Sequence, residues 1–218
     1  MIAAMDGKIQ SSDSIMKGIK NILLNKVPIA WERKAYPSLQ SLSSWILDLG
    51  RRAAQLDSWA QDLSVPRVTW LPGLFEPRAF LAAIAQSAAH TNEWRLEEVT
   101  VAVEVTRKSP EDVSIQARDG AYIHGLFLDG ASWDKATSSL EDMKGQLSII
   151  QMPVLLIKAV HLSSKEEQDA YCCPVYRTQY RGVANAIFVA ELPSLRHPAT
   201  RWALAGVALL GEVADSHP

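Results

Sequence analysis

The hydrophobic repeat of this chain changes once along its length, from the period of a helix to the period of a strand, close to residue 92. Beyond that point Val99, Val101, Val103 and Val105 alternate with Thr100, Ala102, Glu104 and Thr106, the two-residue repeat of a half-buried strand. Before it the repeat is that of amphipathic helices. Ile15, Met16, Ile19, Ile22 and Leu23 follow the N-capping candidates Ser12, Asp13 and Ser14 and predict a helix over 14–26, stopped by Pro28. Pro37 and Ser38 open a second, over 38–59, whose apolar face is Leu39, Leu42, Trp45, Ile46, Leu49, Ala53 and Leu56. Pro77 suits the first turn of a third, over 77–90, which carries Phe80, Leu81, Ile84 and Ala88.

Further strands are expected at 113–117, 122–128, 154–160, 175–179, 186–191 and 202–210, separated by turn residues such as Asp119-Gly120, Asp129-Gly130, Gly182 and Pro193. Helices first and strands second is the α+β pattern. The expected architecture is N-terminal helices followed by an antiparallel six- to seven-stranded sheet or small β-barrel, joined near residues 91–98. No repeat or heptad run suggests a solenoid or a coiled coil.

With 218 residues the chain buries roughly 70% of its unfolded surface and needs no covalent staple. Its 22 basic and 24 acidic side chains leave a net charge of −2, which offers no field for nucleic acid or for an anionic membrane. No apolar run is long enough to span a bilayer. The only cysteines, Cys172 and Cys173, are neighbours, so no secreted-type disulfide framework can be built, and a reducing intracellular compartment is expected.

Chemistry-bearing motifs are scarce. A phosphate-cradling loop needs two glycines five apart followed by lysine; Gly125 and Gly130 have that spacing but Ala131 and Ser132 follow, so both read as hairpin glycines. The histidines at 90, 124, 161, 197 and 217 lack the short spacing of a zinc site. His124, inside a predicted strand, reads as an interior hydrogen-bonding histidine. Consecutive Cα atoms lie about 3.8 Å apart, below the ~4.4 Å at which bridged cysteines begin, so Cys172 and Cys173 are either packed thiols or a redox-responsive pair. Among seven tryptophans, Trp45 and Trp59 stand four helical turns apart on one predicted helix, and read either as core or as part of a docking surface.

Five segments carry a resemblance. Residues 31–52 (WERKAYPSLQSLSSWILDLGRR), 70–86 (WLPGLFEPRAFLAAIAQ), 119–134 (DGAYIHGLFLDGASWD), 171–178 (YCCPVYRT) and 202–210 (WALAGVALL) resemble, in order, blocks of the C-terminal region of dynein heavy chains. Residues 125–131 with Trp133-Asp134, and 173–176 with Thr178, are similar to the axonemal branch. Ser132 stands where that family usually has arginine and Ala82 where it usually has threonine.

The resemblance implies a non-catalytic regulatory cap on a dynein motor in a cilium or flagellum. Residues 1–28 would form a linking helix from the last ring module, 29–95 a helical part and 96–218 a β-rich, barrel-like part. The implied partners are ATPase ring modules of the same heavy chain and, indirectly, microtubules, with no nucleic acid and no membrane. ATP and Mg would bind upstream and no cofactor in this chain. Ile15, Ile19, Ile22, Trp45 and Trp59 are the candidate ring-docking residues, and Cys172 and Cys173 the candidate redox pair. Two other readings stay open: a stand-alone redox-responsive interaction protein built on those cysteines, and a small enzyme with an unrecognised site, which requires a deep pocket holding a perturbed acid or base.

Overall fold

A computed structural model describes residue 6 and residues 12–36, 38–62, 66–143, 149–164 and 169–213. Pro37, most of the N-terminal stretch before Ser12 and the tail 214–218 lie outside the described residues. The chain divides into two compact units, 1–58 with 214–218, and 59–213.

The first unit is helical. Helix α1 (Asp13–Leu23) starts at Ser12, whose side chain accepts from Ile15 N. After it Asn25 takes a left-handed conformation (φ 52°), and its side-chain oxygen accepts from Ser43 N (3.1 Å) and Ser43 Oγ (2.9 Å), while its carbonyl accepts from Leu42 N (2.9 Å). One asparagine thereby satisfies orphan donors at the start of helix α3 (Leu42–Asp62). That helix begins four residues later than the sequence suggests, because Ser41 caps it by accepting from Ser44 N. Between them lies the single turn α2 (Ile29–Glu32). Tyr36, Leu42 and Trp45 form the core, with Ile22, Val27, Ala35 and Leu49 packed on it.

The second unit holds eleven strands, helix α4 (Pro77–Thr91) and helix α5 (Ala199–Ala205) among the described residues. One sheet has the order β1-β3-β8-β2, from β1 (Val68–Trp70), β3 (Gly120–His124), β8 (Leu155–His161) and β2 (Val99–Val105). A second has the order β10-β9-β11-β4-β7, from β10 (Ala186–Pro193), β9 (Ala170–Tyr176), β11 (Ala208–Leu210), β4 (Phe127–Asp129) and β7 (Ile149–Gln151). A hairpin of β5 (Ser132–Asp134) and β6 (Ser139–Glu141) completes the set. Helices before strands, the α+β class, is what the sequence predicts. The sheets are mixed, because β1 joins β3 and β11 joins β9 in parallel, and they do not close into a barrel.

Strand alternation sets the core. Ile123, Leu128, Leu155, Ile157, Leu192, Leu209 and Leu210 are wholly buried. One predicted strand is absent and another is only partly a strand. Residues 113–117 follow a 3-10 turn (Pro110–Asp112) in which Ser109 and Asp112 cap one another, and they join no ladder. The run 202–210 splits: its alanine-rich first half is helix α5, Gly206 (φ 67°) ends it, and only Ala208–Leu210 enters a sheet. An apolar run of that length has no period that separates a buried strand from a buried helix. The predicted strand 122–128 is likewise cut in two by Gly125 (φ 88°). Among the described residues no helix is long and apolar enough to cross a membrane.

Candidate functional site

The core of the helical unit is an aromatic stack locked by a buried ion pair. Trp45 stacks on Trp31 (centroids 6.3 Å apart) and on Tyr36 (5.7 Å). The Tyr36 hydroxyl donates to Asp48 Oδ2 at 2.6 Å, Arg52 Nε donates to the same oxygen at 2.6 Å, and the Arg52 guanidinium lies 3.8 Å above the Tyr36 ring. Asp48 and Arg52 are four residues apart on α3, so the helix presents both to one face. Burial, and then the bond to the Asp48 carboxylate, hold the Tyr36 hydroxyl far above the usual tyrosine range.

This core takes up two of the five residues that the sequence marks for docking, Trp45 and Ile22, and a third, Ile19, is also buried. Trp45 is 3% exposed and Ile19 is 9% exposed, while Ile22 packs against the Tyr36 cluster. Ile15 is half-buried. Trp59, also half-buried, belongs to the second unit and meets the Phe80 ring edge-on at 5.9 Å. The apolar side chains that the helical unit leaves uncovered are different ones: Met16, Leu23, Leu24, Ile29, Trp31, Ile46 and Leu47, the most open being Leu23 at 73% and Leu47 at 67%. The sequence holds a signal for only one of Ile46 and Leu47, since Leu47 lies off the predicted apolar face of that helix while Ile46 belongs to it and is left open all the same.

The candidate redox pair is divided by the pleat of β9. Cys173 is wholly buried opposite Ala190 of β10, whereas Cys172 is exposed opposite Glu191. Successive strand residues face opposite sides, so the two thiols do not share an environment. Burial pushes the Cys173 thiol up to about 12.

The second unit also brings together Ser194, His197 and Asp142, residue types able to form a nucleophile, base and orienting acid. His197 Nε2 lies 2.9 Å from Asp142 Oδ2, but the Ser194 hydroxyl donates to the His197 backbone carbonyl (2.5 Å) and accepts from Trp202 Nε1 (2.6 Å). The serine serves the loop and α5, not the imidazole. Arg201 and Arg196 complete a clasp, bonding Asp142 and Glu141 at 2.6 Å each. The exposed Asp142 carboxyl is held below its usual range chiefly by the bond from Arg201.

His124 is partly buried in β3, and burial lowers its pKa. His217 lies outside the described residues. Among the described residues no three His, Cys, Asp or Glu side chains gather as a metal site would require. One cavity of about 450 Å³ lies between β2 and β10, and another of about 340 Å³ is lined by α4 together with Trp59 and Asp119; no histidine lines either.

Residues 1–211 match the profile of the C-terminal domain of dynein heavy chains. The chain belongs to the dynein C-terminal domain family. This dynein domain is 40% identical over 209 residues, 96% of its length, to the dynein beta chain of the flagellar outer arm of Chlamydomonas reinhardtii. It is 42% identical over 199 residues (91% of its length) to a ciliary dynein beta chain of Heliocidaris crassispina, and 43% identical over 186 residues (85%) to dynein axonemal heavy chain 11 of Sus scrofa. It spans 4% of the length of each of these dynein relatives. Trp70 and Gly125, from two blocks that carried the resemblance, touch one another in the folded dynein domain.

Proposed function

We propose that this chain acts as the C-terminal cap of an axonemal dynein motor: it packs on ATPase ring modules of the same heavy chain and modulates ATP-driven movement along microtubules in a cilium or flagellum, without hydrolysing ATP. The observation that carries this reading is the set of uncovered aliphatic side chains on the helical unit, Leu23, Leu24, Ile46 and Leu47, in a domain that spans 4% of the length of its relatives. Large apolar side chains left open on a unit with its own aromatic core are the mark of a surface covered by something else. ATP and Mg belong, in this reading, to the ring upstream.

Any effect on the motor is allosteric and needs contacts that differ between two ring states. The test replaces Leu23, Leu24, Ile46 and Leu47 by serine in the full heavy chain and, separately, deletes 31–218. A changed ATPase rate or microtubule gliding velocity in both is expected. Unaltered turnover and gliding in both would overturn the proposal.

A further inference from the structure

We propose that the surface covering α1 is acidic: a patch of the same heavy chain, outside this domain, with an apolar centre and a rim of aspartate and glutamate. The inference rests on the docking proposed above and adds the chemistry of what docks. Opposite the buried Gly18 and Ile19, the residues Met16, Lys17, Lys20, Leu23 and Leu24 recur every three or four positions and form one continuous stripe along α1. Met16, Leu23 and Leu24 are 53%, 73% and 55% exposed, and the two lysines among them are exposed as well. Among the described residues neither lysine has a carboxylate within ion-pair distance. The stripe is thus apolar and cationic at once, and its positive charge is not neutralised on the helical unit itself.

The same imbalance extends over the helical unit. Residues 12–58 hold seven basic and four acidic side chains, in a chain whose net charge is −2. Lys26, Arg33, Lys34 and Arg51 are exposed too, and the ion pair found among the described residues of this unit, Asp48 with Arg52, is spent in its core. The second unit treats its cations differently: Lys158, Arg177, Arg181, Arg196 and Arg201 each have a carboxylate partner. A purely apolar partner would strip water from Lys17 and Lys20 and return nothing, whereas carboxylates replace that water with ion pairs. A second copy of the chain would bring the same cationic stripe and be repelled. An anionic bilayer fits less well, because the stripe offers three aliphatic side chains and no aromatic anchor. In heavy chains of which such a C-terminal domain makes up 4%, nearly all of the polypeptide precedes it, so α1 lies close along the chain to that remainder. The tether supplies a high local concentration, and complementary charge then sets orientation and register.

The test treats the full heavy chain with a water-soluble carbodiimide, which joins an amine to a carboxylate only where the two touch, and maps the cross-linked peptides by mass spectrometry. Lys17, Lys20 or Lys26 is expected to be joined to an aspartate or glutamate outside residues 1–218, and raising the ionic strength from about 0.05 M to about 0.5 M should lower the yield several-fold. Lys17→Glu combined with Lys20→Glu should change the ATPase rate by about twofold or more, while Lys17→Arg combined with Lys20→Arg, which keeps the charge, should leave it unchanged. Absence of such cross-links, or equal behaviour of the glutamate and arginine pairs, would overturn the proposal. If the serine replacements of Leu23, Leu24, Ile46 and Leu47 still alter turnover in that case, the docking stands and the acidic partner alone falls. Retention of the heavy chain on phosphatidylserine vesicles, lost in the glutamate pair and without cross-links to carboxylates, would overturn it in favour of a membrane.

Discussion

Trp70 is packed so closely on Gly125 that a Cβ placed on that glycine would stand 2.7 Å from the indole nitrogen and 3.3 Å from Pro72 Cδ. Gly125 also holds a φ of 88°, which side-chain-bearing residues rarely adopt. Against the six-membered ring of the same indole, a Cβ on Gly73 would stand 2.8 Å from Trp70 Cζ3. Gly125→Ala is therefore expected to lower stability by about 2–4 kcal/mol, from backbone strain and overpacking together. Gly50, inside α3 with open space around it, is the contrast: Gly50→Ala should raise stability by about 0.5–1 kcal/mol. Urea titration followed by circular dichroism checks both.

Buried and exposed members of the helical unit should separate clearly in their stability costs. Trp45→Ala removes the centre of the aromatic stack and should cost about 3–5 kcal/mol in the isolated chain. Leu47→Ser, at a position 67% exposed, should stay within about 0.5 kcal/mol there. Thermal melts of the two variants measure the contrast, and equal losses would contradict it.

The Asp48 carboxylate joins two partners in a buried site, so removing it should cost more than removing either bond alone. Asp48→Ala removes the carboxylate bonded to the Arg52 side chain, which is 6% exposed, and is expected to cost about 3–5 kcal/mol. Tyr36→Phe removes the hydroxyl that bonds Asp48 and should cost about 1–3 kcal/mol. A double-mutant cycle of Asp48 with Arg52 isolates their coupling.

Cys173 should make stability fall in alkali. Burial raises its folded-state pKa from about 9 to about 12, so its contribution is whole below pH 9 and is lost as the pH climbs toward 12. Cys173→Ala should flatten that part of the stability profile. In the native chain iodoacetamide should modify Cys172 and leave Cys173 until the chain is unfolded, a difference that peptide mass spectrometry resolves. Equal, rapid labelling of both would overturn the assignment.

Much of the fold is legible in the sequence because periodicity reports which face of an element is apolar. The helices over 14–26, 38–59 and 77–90 appear as Asp13–Leu23, Leu42–Asp62 and Pro77–Thr91, and the valine alternation becomes β2 without change at either end. Periodicity does not report what covers an apolar face. Trp45 lies on the predicted apolar face of α3 and the fold takes it for its own core, whereas Ile46 of the same face is left open together with Leu47, which lies off it. The parallel pairings of β1 with β3 and of β11 with β9 bring together residues more than thirty positions apart, and no local pattern encodes them.

β11 lies between β9 and β4, in the middle of its sheet, with Ala208, Leu209 and Leu210 wholly buried. A ribosome making this polypeptide must therefore release residue 210 before β9 and β4 can be joined, and until then the two halves of that sheet expose their inner margins to chaperones and proteases. Losing Ala208–Leu210 would remove the strand that joins β9 to β4 and leave that sheet in two parts.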